Sequence, residues 1–239
     1  QGLVRQENLG LAHLSTGDLV RAEARAGTAL GEQLAAASRS GALAPDNVMV
    51  DMVRNKLAHV DSGYILDGFP RTAAQAAMLA AQDTTSVNLV VNIRLDQEVA
   101  VAKALGRRAC ESCGASYNVT DVMHGGFDMP AILPPVVDAS APAPLRKEAQ
   151  PGGAEVDVIE NRRCSACGAQ PLVLTRRADD TPETVKRRFE VHMEVEAPLL
   201  EFFRGGAHGF ADLQYRDFVV KRGLKDTPQL QQLIVDALP

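Results

Sequence analysis

Short apolar runs alternate along this chain with longer stretches in which apolar residues recur every three or four positions, the pattern of strands separated by helices. Leu3–Asn8 looks like the tail of a helix ended by Gly10. Leu11–Leu14 reads as a strand, and the alanine-rich stretch Asp18–Arg39 predicts two helices broken near Gly27 and Thr28 and stopped by Gly41. Asp46 is placed to cap a helix over Asn47–Ala58, with Val48, Met49, Met52, Val53 and Leu57 on its core face. Tyr64–Leu66 is a short buried strand, Thr72–Gln82 a helix, Val87–Leu95 a strand and Gln97–Leu105 a helix. Thr184–Phe203 reads as a long helix interrupted at Pro198, Phe218–Val220 as a last strand and Leu230–Leu238 as a closing helix. This order predicts an α/β fold with a doubly wound parallel sheet, and no internal repeat is visible.

Composition narrows the function classes. The 239 residues suffice for one sizeable core plus an inserted subdomain, and 46% hydrophobic with 23% charged residues reads as globular. No apolar run is long enough to span a bilayer, so no membrane partner is expected. A net charge of −5 argues against a nucleic-acid polymer, which needs a basic face. Arginine far outnumbers lysine among the 25 basic residues, a bias that suits planar phosphate clamps and that a GC-rich genome also produces.

The chemistry gathers at strand ends. Tyr64–Leu66 stops at Asp67-Gly68-Phe69-Pro70-Arg71, at the carboxyl end where open parallel sheets bind ligands. Gly68 admits a ligand to the main chain, Pro70 stiffens the turn and Arg71 offers a two-pronged phosphate grip. Taken alone, the segment reads equally as a strand-to-helix connection with a surface arginine. Upstream, Ser15, Thr16 and Asp18 are all good helix caps, but capping does not account for Arg21 one turn further on. In Arg176-Arg177-Ala178-Asp179-Asp180-Thr181-Pro182-Glu183, a cap at Asp180 or Thr181 explains the acidic residues and leaves the basic ones unexplained. His13 and His192 read as packing or surface residues.

Four cysteines stand in two Cys-x-x-Cys pairs, Cys110 with Cys113 and Cys164 with Cys167, each followed by glycine. That is the ligand set of a tetrahedral Zn²⁺, although the 50 residues between the pairs exceed the usual spacing. Two disulfides or a redox pair are the alternatives. Between Pro134 and Gly153 the alanine- and proline-rich composition predicts a flexible insertion over about 134–155, or a docking segment for a partner.

The wording and order of STGDLVRA (15–22), LAPDNVMVDMV (43–53), YILDGFPRTAAQA (64–76) and RRAC through CGASYNV (107–119) resemble the adenylate kinase family, in its form with a zinc-type lid. The resemblance implies a P-loop NTPase-like α/β core at 1–14, 46–106 and 177–239, a monophosphate-binding arm at 15–45 and a lid at 107–176. It implies that Thr16 and Arg21 contact the AMP phosphate, that Ala42, Leu43 and Ala44 meet adenine through their carbonyls, and that Gly68, Arg71 and Gln75 hold the base side, the α-phosphate and the adenine edge. Asp67 would orient water around Mg²⁺ bound with ATP. Arg107 and Arg177 would close over the ATP phosphates, Arg188 would bind the moving phosphoryl group, and Asp179 and Asp180 would link lid to core or hold arginines. Lys103 occupies the place of a family arginine that stacks near the donor adenine.

Aligned on the family, Gln1 falls just after the glycine-rich phosphate loop, and no Gly-x-x-x-x-Gly-Lys occurs in the chain. The expectation is that a parent chain or a second segment supplies that loop and a central strand. The chain thus reads as a kinase converting Mg·ATP and AMP into two ADP, a monomer or a module of a larger chain. The alternatives are a nucleotide-binding scaffold that has lost catalysis, or a zinc-ribbon interaction module. A thiolate zinc site favours an intracellular reducing compartment, with cytoplasm, plastid, mitochondrion and cilium all compatible.

Overall fold

The computed structural model describes residues 10–238 except 83–85, 139, 141–144, 150–154, 178, 206–208 and 211. The helix expected over Leu3–Asn8 lies outside the described residues. In chain order the elements are β1 (Ala12–Ser15), α1 (Thr16–Arg25), α2 (Ala29–Ser40), α3 (Asp46–Leu57), β2 (Tyr64–Asp67), α4 (Ala73–Ala80), β3 (Leu89–Arg94) and α5 (Gln97–Leu105). There follow β4 (Arg107–Cys110), β5 (Ser116–Asn118), β6 (Arg146–Ala149), β7 (Glu155–Ile159), β8 (Leu172–Thr175), α6 (Pro182–Arg204), β9 (Gln214–Val219) and α7 (Thr227–Ala237). Two compact units emerge. The first comprises Gln1–Arg94, Lys186–Val220 and Leu224–Pro239, the second Leu95–Val185 with Lys221–Gly223.

In the first unit the architecture is α/β with parallel strands, as the alternation predicts. The strands form two pairs, β1 with β2 and β3 with β9, and no ladder joins the pairs among the described residues. Both pairs instead pack on one apolar core. Met49, Val50 and Val53 of α3, Ala76 and Leu79 of α4, and Phe69, Phe203 and Phe210 form that core, with Leu66, Val90 and Tyr215 of the strands against it.

Local chemistry sets the helix ends. The Thr28 hydroxyl accepts from Gly31 N at 2.9 Å and starts α2, while Gly41, with φ 74°, ends it in the left-handed conformation that glycine tolerates best. Gly31 also lets α1 and α2 approach closely, since a Cβ there would lie 2.2 Å from the Glu23 carbonyl oxygen. Two expectations change. Asp46 does not cap α3, which follows Pro45 without a side-chain cap, because its carboxylate is engaged elsewhere, as described below. Pro198 does not interrupt α6: Pro198 and Glu194, whose carbonyl it leaves without a helical partner, are both exposed, so solvent can satisfy that oxygen and the helix runs through.

The second unit is built on an antiparallel sheet of order β5-β4-β8-β7-β6. Its core is Cys110, Tyr117, Ile159, Cys164, Leu172 and Leu174. Part of the predicted flexible insertion is ordered. Arg146–Ala149 pairs with Glu155–Val158 as an edge strand whose residues are all exposed, held by ladder bonds and not by burial. Arg108 on β4 and Asp157 on β7 form an ion pair across β8, their side chains 7% and 5% exposed.

Candidate active site and metal centre

The register of β1 and β2 sets Ser15 beside Asp67, so the start of α1 and the turn after β2 leave the pair of strands together. Thr16, buried in the first turn of α1, donates its hydroxyl to Gly68 O at 3.0 Å and ties the two segments. Gly68 takes φ 71°, and a Cβ there would come within 3.1 Å of the Arg71 guanidinium. Arg71 Nε donates to Gly68 O at 2.8 Å, and the guanidinium is thereby aimed across the turn.

Arg71 does not stand alone. Its guanidinium keeps contact with solvent, yet desolvation by the surrounding protein lowers its pKa, followed by repulsion from Arg188 and, more weakly, Arg21, with Asp67 acting the other way. Arginine does not give up its proton in a protein, so the outcome is a concentrated positive field. The three arginines come from three segments. Arg21 is steered by an ion pair with Asp18 on the same helix, and Arg188 on α6 donates to Ser38 O at 3.1 Å on α2. A site of this kind recruits a multiply charged oxyanion.

Around it, Asp46 has partners that the sequence reading did not give it, and His13 is a surface residue as that reading allowed. Asp46 Oδ1 accepts from Gln75 Nε2 at 2.9 Å and from the Thr72 hydroxyl at 3.1 Å. Gln75, buried, in turn accepts from Arg71 N at 2.8 Å through Oε1. His13 is exposed, and its Nε2 lies 3.2 Å from Asp67 Oδ2. A carboxylate only accepts, so Nε2 carries the hydrogen. His13 falls within one predicted strand and Asp67 just after another, and that was the signal available. Ala42 is exposed just after the Gly41 cap, Leu43 is half-buried and Ala44 packs on the first core.

In the second unit, Arg107 makes a two-pronged contact with fully buried Asp180, at 3.1 Å to Oδ2 and 2.5 Å to Oδ1. Asp180 N donates to Arg177 O at 3.1 Å, and the intervening Asp179 is half-buried. The cap of α6 falls to Thr181, whose hydroxyl accepts from Thr184 N at 3.2 Å.

Lys103, which the resemblance puts near a donor adenine, has its ammonium engaged within the protein. Its ammonium donates to three carbonyls, Thr120 O at 2.6 Å, Met129 O at 2.7 Å and Pro130 O at 2.9 Å. An ammonium has three N–H donors, and all three are spent here. Desolvation lowers its pKa, with Asp121 opposing. Lys103 therefore fastens the 120–130 segment to α5.

The four cysteine sulfurs lie within 4.8 Å of one another, and all four are free thiols. Zn–S bonds of about 2.3 Å in a tetrahedron place sulfurs about 3.8 Å apart. The Cys110–Cys167 and Cys113–Cys164 separations are 3.9 and 3.6 Å, so the cluster fits the ion and is too open for disulfides. Ionisation is uneven. Burial opposes it at Cys164, but hydrogen bonds from the Tyr117 hydroxyl and the N–H groups of Cys167 and Ala166 outweigh that and bring the thiol down to about 6. At Cys113 the Ala115 N–H favours the thiolate, whereas Cys167, burial, Cys164 and Cys110 push it up to about 12. Four thiolates need a cation to share the site.

Several known proteins are similar to this chain. The adenylate kinase of Syntrophotalea carbinolica is 33% identical over 243 residues, spanning 100% of this chain and 91% of that protein. Adenylate kinase 1, chloroplastic, of Arabidopsis thaliana is 36% identical over 200 residues, 82% of this chain and 61% of its own length. The adenylate kinase of a Geobacillus species is 35% identical over 202 residues, 82% of this chain and 76% of its own. The model of the adenylate kinase family matches residues 2–207, and with relatives of this likeness over most of its length the chain belongs to the adenylate kinase family, a family of phosphotransferases.

Proposed function

We propose that the chain transfers the γ-phosphoryl group of Mg·ATP to AMP, giving two ADP. The observation that carries this reading is the convergence of Arg21, Arg71 and Arg188, from three separate segments, at the carboxyl end of β2. Transfer of a phosphoryl group spreads charge over its oxygens and asks for positioning and electrostatics more than for covalent help. The acceptor phosphate oxygen is itself the nucleophile, so no side-chain base is needed. Arg21 and Arg71, with Thr16 fixing the turn, would hold the AMP phosphate, and Arg188 would neutralise the group in flight. Arg107 and Arg177 would take the ATP phosphates, with Asp179 and Asp180 holding the arginines. Mg²⁺ bound with ATP supplies charge neutralisation at the donor phosphates. Asp67, a carboxylate at a strand end, suits such a water-retaining cation.

Gln75 supports AMP as acceptor. One of its amide hydrogens goes to Asp46 and one oxygen lone pair to Arg71 N, which fixes the amide and leaves one donor and one acceptor. An adenine edge offers an acceptor beside a donor, the complementary pair. The four cysteines would hold a structural Zn²⁺ in the lid at 107–176, and the arm at 15–45 would close on AMP. Among the described residues no helix is long and apolar enough to cross a membrane. Free thiols and the Arabidopsis chloroplastic relatives favour a reducing compartment such as a plastid.

A coupled ADP-forming assay on the full-length protein tests the reading. Turnover should require both ATP and AMP, and Arg71→Ala should lower kcat/KM by about a hundredfold or more. Absence of turnover dependent on both nucleotides would sink it.

A further inference from the structure

Tyr117 stands on β5, just after the first Cys-x-x-Cys turn, yet its polar end belongs to the second. Its hydroxyl donates to Cys164 Sγ at 3.3 Å and accepts from Ser165 N at 3.0 Å. The ring is buried in the core of the second unit, with Ile159, Leu172 and Leu174 in the same cluster, so the hydroxyl has little freedom to turn away. A phenol oxygen has one hydrogen and two lone pairs. With the Ser165 N–H on a lone pair, the hydrogen is directed at sulfur.

Metal binding requires the thiolate, and a hydrogen bond to a charged acceptor is about twice as strong as one to a neutral group. A donor aimed at Cys164 therefore fixes where that sulfur sits. It also joins the two Cys-x-x-Cys turns, 47 positions apart from Tyr117 to Cys164, through protein alone. We propose that Tyr117 is a positioning residue for the metal centre: its hydroxyl holds Cys164, and with it the second turn, in place for a soft tetrahedral dication and so sets how tightly that ion is kept. The inference rests on the zinc reading of the four cysteines.

The test uses the full-length protein, titrated with Zn²⁺ against a chromophoric chelator and with Co²⁺ as an optical probe. Tyr117→Phe keeps the ring and removes the donor, and it should weaken zinc about tenfold and shift the sulfur-to-cobalt charge-transfer band. Ser165→Pro removes the N–H that aims the hydroxyl and should weaken zinc in the same direction. Val119→Ala, in the same core, should lower thermal stability and leave zinc affinity and the cobalt band unchanged. If Tyr117→Phe and Ser165→Pro fold and keep the parent's zinc affinity and cobalt spectrum, the inference falls while the zinc reading stands. If Val119→Ala weakens zinc as much as Tyr117→Phe, packing is the cause and the inference falls too. A parent protein that gives no tetrahedral thiolate cobalt spectrum overturns both.

Discussion

Lys103 shows how one residue type can carry a meaning its neighbours in sequence do not disclose. Three carbonyls converge on its ammonium, and a tetrahedral point charge with three donors matches them. A planar guanidinium cannot, although arginine is the residue the family resemblance would put there. Lys103→Arg is therefore expected to destabilise the protein by about 1 kcal/mol and to leave the KM for ATP unchanged. Lys103→Met, which abandons all three carbonyls, should cost about 2 kcal/mol or more. Urea unfolding with steady-state kinetics separates the cases; an Arg variant with tighter ATP binding would restore the donor-site role. Backbone acceptors leave no mark in a sequence, so this role could not be read there. Arg21 and Arg71 could, because each follows a strand end and neither is needed by a helix cap.

At the scale of elements, what was legible was local. Thr28 and Gly41 bound α2 through contacts within a few residues, and both were visible as a break and a stop. Asp46 was read as a local cap because the carboxylate preceded an apolar helix, but its partners are Thr72 and Gln75, 26 and 29 positions on. The strand Arg146–Ala149 was hidden for a related reason: its charged residues show no apolar alternation, and only the register with β7 makes it a strand. Gly31 gives a test of packing between elements. Gly31→Ala would place a methyl 2.2 Å from the Glu23 carbonyl oxygen and force α1 from α2. The expected cost is about 1–3 kcal/mol. Because α1 carries Arg21, the KM for AMP should rise while that for ATP holds. Equal changes in both would mean that the α1 and α2 contact does not serve the acceptor alone.

For the whole molecule, the division into two units predicts how it comes apart. Each unit has its own apolar core, and the cysteine cluster belongs only to the second. Chelation of zinc should then lower one thermal transition and leave another in place, a separation that calorimetry of the chelated and zinc-loaded protein would resolve. A single transition that moves as a whole would mean that the units unfold together. The expected doubly wound sheet illustrates what alternation alone conveys. It specified parallel strands and flanking helices, whereas the pairing of β1 with β2 and of β3 with β9 depends on ladders between segments distant in sequence.

The ion pair of Arg108 and Asp157 constrains how this chain can drift. Its members lie on strands separated by β8, and each is nearly sealed from solvent. Losing either one alone strands a buried charge at a cost of about 3–5 kcal/mol, a large share of what holds a domain together. Replacing both with apolar residues costs far less. Selection should then tolerate these positions changing in tandem and purge them singly, so descendants of this chain would keep the salt bridge or lose it in one paired step.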